Sequence, residues 1–244
     1  RPKMVYVIPT FQNPTGRTLS LERRKKVAEL GSRYDTIILE DDPYRDIRYS
    51  GMDLPPIKAF DTTGHTVLAN SFSKIFSPGS RLGYVLASEE ITAKLFDAKT
   101  ATNSHTSMLP QVICAEFFKR GYYPAHHRMI CDLYRERRDV MIESIDTYFP
   151  KGTVRTFPDG GLFTWARLPG GINTTGLLAE SLASPDVRVA YVAGEGFFIE
   201  GNGMGNDCMR ISFGGVPPEK IRIGAERLGK LICSRLDQGL SCEA

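Results

Sequence analysis

The sequence predicts an α/β chain in two parts: a larger part built on a mostly parallel sheet over residues 1–130, and a smaller C-terminal α+β domain over residues 131–244. Three observations lead there. Short apolar runs alternate with helical patterns through the first half, as expected of parallel strands joined by helical crossovers. A single long amphipathic pattern over 125–149 has the length of a helix that bridges two domains. Beyond Pro150 the texture changes to short strand-like runs and glycines.

The elements follow in order. Residues 4–8 read as a buried strand, and Asn13-Pro14-Thr15-Gly16 as a turn. Ser20 is placed to cap a helix running to Arg33, with Glu22 in its first turn. Residues 36–40 form the next strand, followed by a proline-containing loop, and 66–71 and 84–87 are further strands. Ser88 caps a helix beginning Glu89-Glu90. The long helix over 125–149 presents Met129, Ile130, Leu133, Val140, Met141, Ile145 and Tyr148 at helical spacing. The second part holds strands at 153–156, 161–167, 187–192 and 209–213, with helices near 175–182 and over 217–236.

Composition excludes several classes. With 41% hydrophobic and 24% charged residues the chain is globular rather than disordered. No apolar run approaches the ~18 residues of a membrane span. A net charge of +3 is too small to argue for nucleic acid or an anionic membrane as partner. Cys114, Cys131, Cys208, Cys233 and Cys242 are odd in number and scattered, and the four histidines lack metal-ligand spacing. A reducing compartment is expected, and with no visible targeting segment, the cytoplasm. The first strand begins almost at once after Arg1, which reads as an excised piece or processed product.

Three stretches carry chemistry. In Ser71-Phe72-Ser73-Lys74-Ile75-Phe76-Ser77-Pro78-Gly79-Ser80-Arg81-Leu82-Gly83 a lysine follows a buried strand, and an arginine follows in a Gly/Pro loop. The carboxyl end of such a strand is where open α/β sheets bind ligands, and a partly desolvated lysine there becomes a nucleophilic amine. Glu40-Asp41-Asp42-Pro43-Tyr44 and Gln12-Asn13-Pro14-Thr15-Gly16 also follow strands. Alone, the first is a solvated loop and the other two are turns. Together they put an amine, a carboxylate, an amide, a phenol, hydroxyls and a guanidinium at three strand ends, a set suited to pyridoxal phosphate.

On these residues the chain resembles the fold-type I pyridoxal-phosphate-dependent aminotransferases, in the kynurenine/2-aminoadipate and aromatic subgroup. The matching positions are the 12–16 string, Asp41-x-x-Tyr44, Ser71-x-Ser73-Lys74 with Arg81, and Arg210 in Met209-Arg210-Ile211-Ser212-Phe213. The stretches Pro158-Asp159-Gly160-Gly161-Leu162-Phe163 and Gly194-Glu195-Gly196-Phe197 also resemble the family. The likeness implies transfer of an amino group from an aromatic or 2-aminoadipate-like amino acid to a 2-oxo acid. Lys74 would form a Schiff base with pyridoxal 5'-phosphate and move the substrate proton. Asp41 would pair with the ring nitrogen. Asn13 and Tyr44 would bond the ring's phenolic oxygen, and Arg81, Ser71 and Ser73 the phosphate. Arg210 would hold the substrate carboxylate, with Asn13 also assigned to substrate binding.

Ala193 stands where the family commonly has proline. The resemblance covers only the C-terminal part of such enzymes, which are homodimers. A Gly/Ser phosphate-binding turn, a stacking aromatic and further strands of the sheet would lie outside it. The chain alone is therefore expected to bind the cofactor weakly, to be weakly active or inactive, and to leave a parallel-sheet edge unpaired. Two alternatives are an aminotransferase-like sensor domain of a winged-helix regulator and a lyase on the same scaffold. The intact pattern around Asn13 favours an enzyme. Elsewhere, His126-His127 and Arg135-Glu136-Arg137-Arg138 read as solvated, Tyr122-Tyr123 as packing, and Gly201-Asn202-Gly203-Met204-Gly205 as a connecting loop.

Overall fold

A computed structural model describes residues 1–199 and 203–240, with side chains to Leu236. Cys242, Gly201 and Asn202 lie outside the described residues. The chain forms two compact units, residues 1–12 with 18–131, and residues 13–17 with those from 132 onward.

In the first unit, β1 (Met4–Val7), β2 (Ile37–Asp41), β3 (Thr66–Ser71) and β4 (Gly83–Leu86) form one sheet in that order. The first three strands are parallel and β4 is antiparallel to β3, so the sheet is mostly parallel. Helix α1 (Leu21–Arg33) makes the crossover from β1 to β2. Ser20 caps it: its hydroxyl accepts from the Arg23 N–H at 3.4 Å. Ala28 on α1, Ile38 on β2 and Ile57 form a buried cluster joined by Val7, Leu19, Val27 and Phe60. Asp61 starts β3 by accepting backbone N–H bonds from Thr63, Gly64, His65 and Thr66. Helices α2 (Glu89–Asn103) and α3 (Met108–Lys119) follow. Strands β1 and β4 are the sheet edges, and an apolar groove of 570 Å³ lies beside β1, lined by Val5, Val27, Leu30, Tyr34 and Ile38.

Helix α4 (Tyr123–Tyr148) passes from the first unit to the second after Cys131. The second unit holds a wholly antiparallel sheet ordered β5 (Val154–Arg155), β6 (Phe163–Arg167), β8 (Cys208–Ser212), β7 (Val192–Ala193). Helices α5 (Thr174–Ala183) and α6 (Pro218–Leu240) complete it. Its buried residues include Ala166, Leu177, Met209, Phe213, Ile221, Leu228 and Ile232. Among the described residues no helix is long and apolar enough to cross a membrane.

Several sequence expectations are corrected. The strand expected to be buried over 4–8 is β1, whose Met4, Val5 and Tyr6 are exposed because it is a sheet edge. The strand expected over 187–192 shrinks to Val192–Ala193. Ser181 on α5 takes both backbone groups of Val189, its hydroxyl donating to the carbonyl at 2.8 Å and accepting the N–H at 3.2 Å, so these groups are withheld from a ladder. Helix α3 has no clean amphipathic stripe in sequence, with Met108, Leu109, Val112 and Ile113 all exposed, and periodicity missed it. His127 is not solvated: Nε2 donates to the Asp46 carbonyl at 2.5 Å and its ring lies 5.3 Å from that of Tyr123. Nor is Arg138, which is buried, donates to the Pro158 carbonyl at 2.8 Å and lies over the Phe157 ring. Long cationic stems bury readily when the head finds a carbonyl.

Candidate functional site

In the first unit two of the three chemical stretches leave adjacent strand ends. Strands β2 and β3 run parallel with Asp41 opposite Ala69, and the Asp42 N–H donates to the Ala69 carbonyl at 3.0 Å. Asp41 therefore closes β2 beside the end of β3, two residues before Ser71. Ser71 caps a single 3-10 turn, Phe72–Lys74: the Ser71 oxygen accepts the Ser73 N–H at 3.1 Å, and the two hydroxyls are 2.8 Å apart. Lys74 ends that turn, half-buried, with no ion pair or hydrogen bond to another described residue.

The chain then turns back through Pro78–Ser80 to Arg81, which is exposed and holds a left-handed backbone at φ 52°. The Phe72 N–H donates to the Leu82 carbonyl at 3.1 Å, closing the loop. Gly83 permits this closure, because a Cβ there would sit 2.6 Å from the Asn70 carbonyl oxygen. The sequence string from Ser71 to Gly83 is thus one closed loop carrying the Ser71 and Ser73 hydroxyls, the Lys74 amine and the Arg81 guanidinium.

The strand end that bears Asp41 is braced by buried charge. Glu40 is fully buried and accepts the N–H groups of Ile57 and Lys58 at 2.7 and 2.8 Å. Arg24, also fully buried, donates to the carbonyls of Leu19, Pro9 and Pro55 and to the Thr10 hydroxyl. Asp42 is fully buried, accepts from Arg45 at 3.2 Å, and has one oxygen without a partner. Burial pushes the Asp42 carboxyl up to about 6, against the Arg45 guanidinium and the Thr10 hydroxyl, which pull it down. Asp41 itself is half-buried, and the Tyr6 phenol donates to its Oδ2 at 2.5 Å. Tyr44 is buried in the turn that follows, where its carbonyl accepts the Ile47 N–H at 2.9 Å.

The second unit contains Asn13 and Arg210. Arg210 lies on β8 opposite Trp165 of β6 and Val192 of β7. Met209, Ile211 and Phe213 are buried on the other face, as strand alternation requires. The guanidinium carbon sits 4.5 Å from the Phe163 ring centroid and 5.7 Å from that of Phe197. One Nη donates to Asn13 Oδ1 at 2.8 Å, while the buried Nε has no partner among the described residues. No carboxylate among the described residues pairs with Arg210. Asn13 opens the tight turn to Gly16, which has φ +67° and whose added Cβ would lie 2.7 Å from the Phe163 carbonyl oxygen. The Asn-Pro-Thr-Gly turn and β6 are therefore packed backbone to backbone.

Sequence reasoning missed Tyr6, the Arg24–Glu40–Asp42 brace and the aromatic rings around Arg210. Tyr6 carried a faint signal, a polar-tipped ring in an otherwise apolar strand. The brace carried none, since Arg24 sits in a helix rich in exposed cations.

Against known proteins, the chain matches the family Aminotransferase class I and II over residues 1–228. It is 43% identical to aromatic-amino-acid aminotransferase 1 of Thermococcus litoralis, over 94% of this chain and 54% of that protein. It is 34% identical to the 2-aminoadipate transaminase of Thermus thermophilus, over 95% and 58%. Among solved structures, the kynurenine aminotransferase of Pyrococcus horikoshii, in complex with PMP, matches with a TM-score of 0.90 at 39% identity, over 96% of this chain and 57% of that one. The chain thus spans a little over half the length of the relatives it matches.

Proposed function

Because the chain belongs to the class I and II aminotransferases, we propose that the full-length protein is a pyridoxal-phosphate-dependent enzyme that moves an amino group from an aromatic or 2-aminoadipate-like amino acid to a 2-oxo acid. The carrying observation is the pairing of strand ends in the first unit: Asp41 closes β2 beside the strand that leads into Ser71, Ser73 and Lys74.

The donor set fits the cofactor. The Ser71 and Ser73 hydroxyls and the exposed Arg81 guanidinium would be phosphate donors, Asp41 a carboxylate for a protonated ring nitrogen, and Lys74 an amine with no ion pair among the described residues. When bound, pyridoxal phosphate supplies an aldehyde carbon for the amine and a ring that takes up the electron pair left at the substrate Cα. Lys74 would hold that group through its amine, and the same amine would serve as the base for the substrate Cα proton. Asp41 would face the ring nitrogen and favour its protonated form. The family likeness assigns Tyr44, and separately Asn13, as donors that would bond the phenolic oxygen. Asn13 Oδ1 meanwhile orients Arg210, whose unpartnered Nε and remaining Nη present a fork to the substrate α-carboxylate.

On this reading residues 1–130 are the C-terminal part of the cofactor-binding domain and 131–244 the small domain. The working protein is a cytoplasmic homodimer, and neither nucleic acid nor membrane is a partner.

A half-reaction tests the assignment. The cofactor-loaded full-length protein is mixed with tyrosine or 2-aminoadipate and no acceptor. The expected result is loss of the visible cofactor band with one equivalent of 2-oxo acid formed per site. Continuous pyruvate release, or an unchanged band with every amino acid tried, overturns it.

A further inference from the structure

Three consecutive acids, Glu40 and Asp41 at the end of β2 and Asp42 just after it, each have their own partners. Glu40 is consumed by two backbone N–H groups at the start of the Ile57–Phe60 turn. Asp42 faces Arg45 and Thr10. Asp41 receives one side-chain hydrogen bond among the described residues, from Tyr6. Among the described residues, the side chain of the acid read as the ring nitrogen's partner thus takes its hydrogen bond from a phenol.

Strand geometry sets up that contact. Tyr6 on β1 stands opposite Leu39 on β2. Side chains two apart on a strand share a face, so Tyr6, Leu39 and Asp41 lie on the same side of the sheet. Tyr6 reaches one step along the neighbouring strand to Asp41 Oδ2, at 2.5 Å, the short range of an O–H donor to an ionised oxygen. More than half of Tyr6 is exposed, so packing alone does not hold it there. Burial of the hydroxyl, this hydrogen bond and the Asp41 charge all push its ionisation upward, so it remains a donor across the working pH range.

We propose that Tyr6 is a positioning residue for Asp41, its phenol O–H holding Oδ2 so that Oδ1 is presented to the cofactor's ring nitrogen. The inference rests on the reading of Asp41 given above. A carboxylate tied at one oxygen loses the freedom to rotate about its terminal torsion, which is otherwise broad. A carboxylate oxygen fixed toward the ring nitrogen would favour the protonated ring.

A double-mutant cycle in the full-length protein tests this, with pyridoxal 5'-phosphate titrated into the cofactor-stripped protein and its visible absorption recorded. Far-UV circular dichroism and thermal melting verify that each variant is folded. Tyr6→Phe keeps the ring and removes the donor. It is expected to weaken cofactor binding about tenfold, the scale of one hydrogen bond to a charged group, and to shift the visible band. In an Asp41→Ala background the same change is expected to alter affinity less than about twofold and to leave the band where Asp41→Ala put it, because the coupling has lost its target. Tyr6→Phe without effect on wild type, or with equal effect in both backgrounds, overturns the positioning role and leaves the reading of Asp41 standing. Asp41→Ala without effect on affinity or band overturns that reading, and the role of Tyr6 with it.

Discussion

The two units hold their chemical groups in different ways. In the first, Asp41, Ser71, Ser73, Lys74 and Arg81 sit at strand ends and in a closed loop, and β2's end is steadied by buried charges: Glu40, Asp42 and Arg24 are fully buried. In the second, Arg210 projects from the middle of an antiparallel strand, held by ladders on both sides and set against the rings of Phe163 and Phe197. Loop-borne groups gain reach and adjustability, but their support is hydrogen bonding by ionisable side chains, which depends on pH. The strand-borne guanidinium is supported by its backbone ladders, aromatic rings and the Asn13 amide oxygen, none of which titrates.

The largest expected effect is at the loop. Lys74→Ala in the full-length protein should lower turnover by about three orders of magnitude, the upper range for losing one proton-transfer group, with the visible cofactor band altered. Steady-state kinetics with a band retained and turnover unchanged would remove Lys74 from the chemistry. Next is the strand. Arg210→Gln should reduce kcat/KM by roughly 100-fold, through KM for the amino acid, as expected when a charged fork to a carboxylate is lost. Arg210→Lys should recover only part, because an ammonium cannot present two parallel N–H groups.

The third prediction sharpens the contrast in pH behaviour. The Asp42 carboxyl, at about 6 in the folded protein against an ordinary 3.8, binds a proton more readily folded than unfolded. Stability from this group is therefore fully present below about pH 4 and is lost as pH rises through about 6. Asp42→Asn should flatten that slope and gain about 2 kcal/mol above pH 6, by urea unfolding across the range. A variant curve parallel to wild type would show that burial of this acid is not felt. The smallest effect is Phe163→Leu, which keeps an apolar wall but removes the ring under Arg210. A rise of about threefold in KM is expected, the exposed end of the cation–π range, with no new pH dependence between pH 4 and 6.

Much of this was legible in one dimension. The caps at Ser20 and Ser88 were readable because a hydroxyl before an acidic first turn is a local signal, and both hydroxyls accept an N–H of the first turn. The three parallel strands were readable because they are bounded apolar runs. The strand over 187–192 failed because Ser181, several residues upstream on a helix, captured the backbone of Val189. Helix α3 was missed because its apolar residues point in several directions.

The sequence by itself determined the fold class, the family likeness and the list of reactive groups, because these depend on residue types at fixed spacing along the chain. Only the tertiary structure decided which groups support one another. Tyr6 meets Asp41 across 35 positions, and Arg210 meets Asn13 across 197. Such meetings are set by strand register and turn geometry, and neither leaves a mark in local composition.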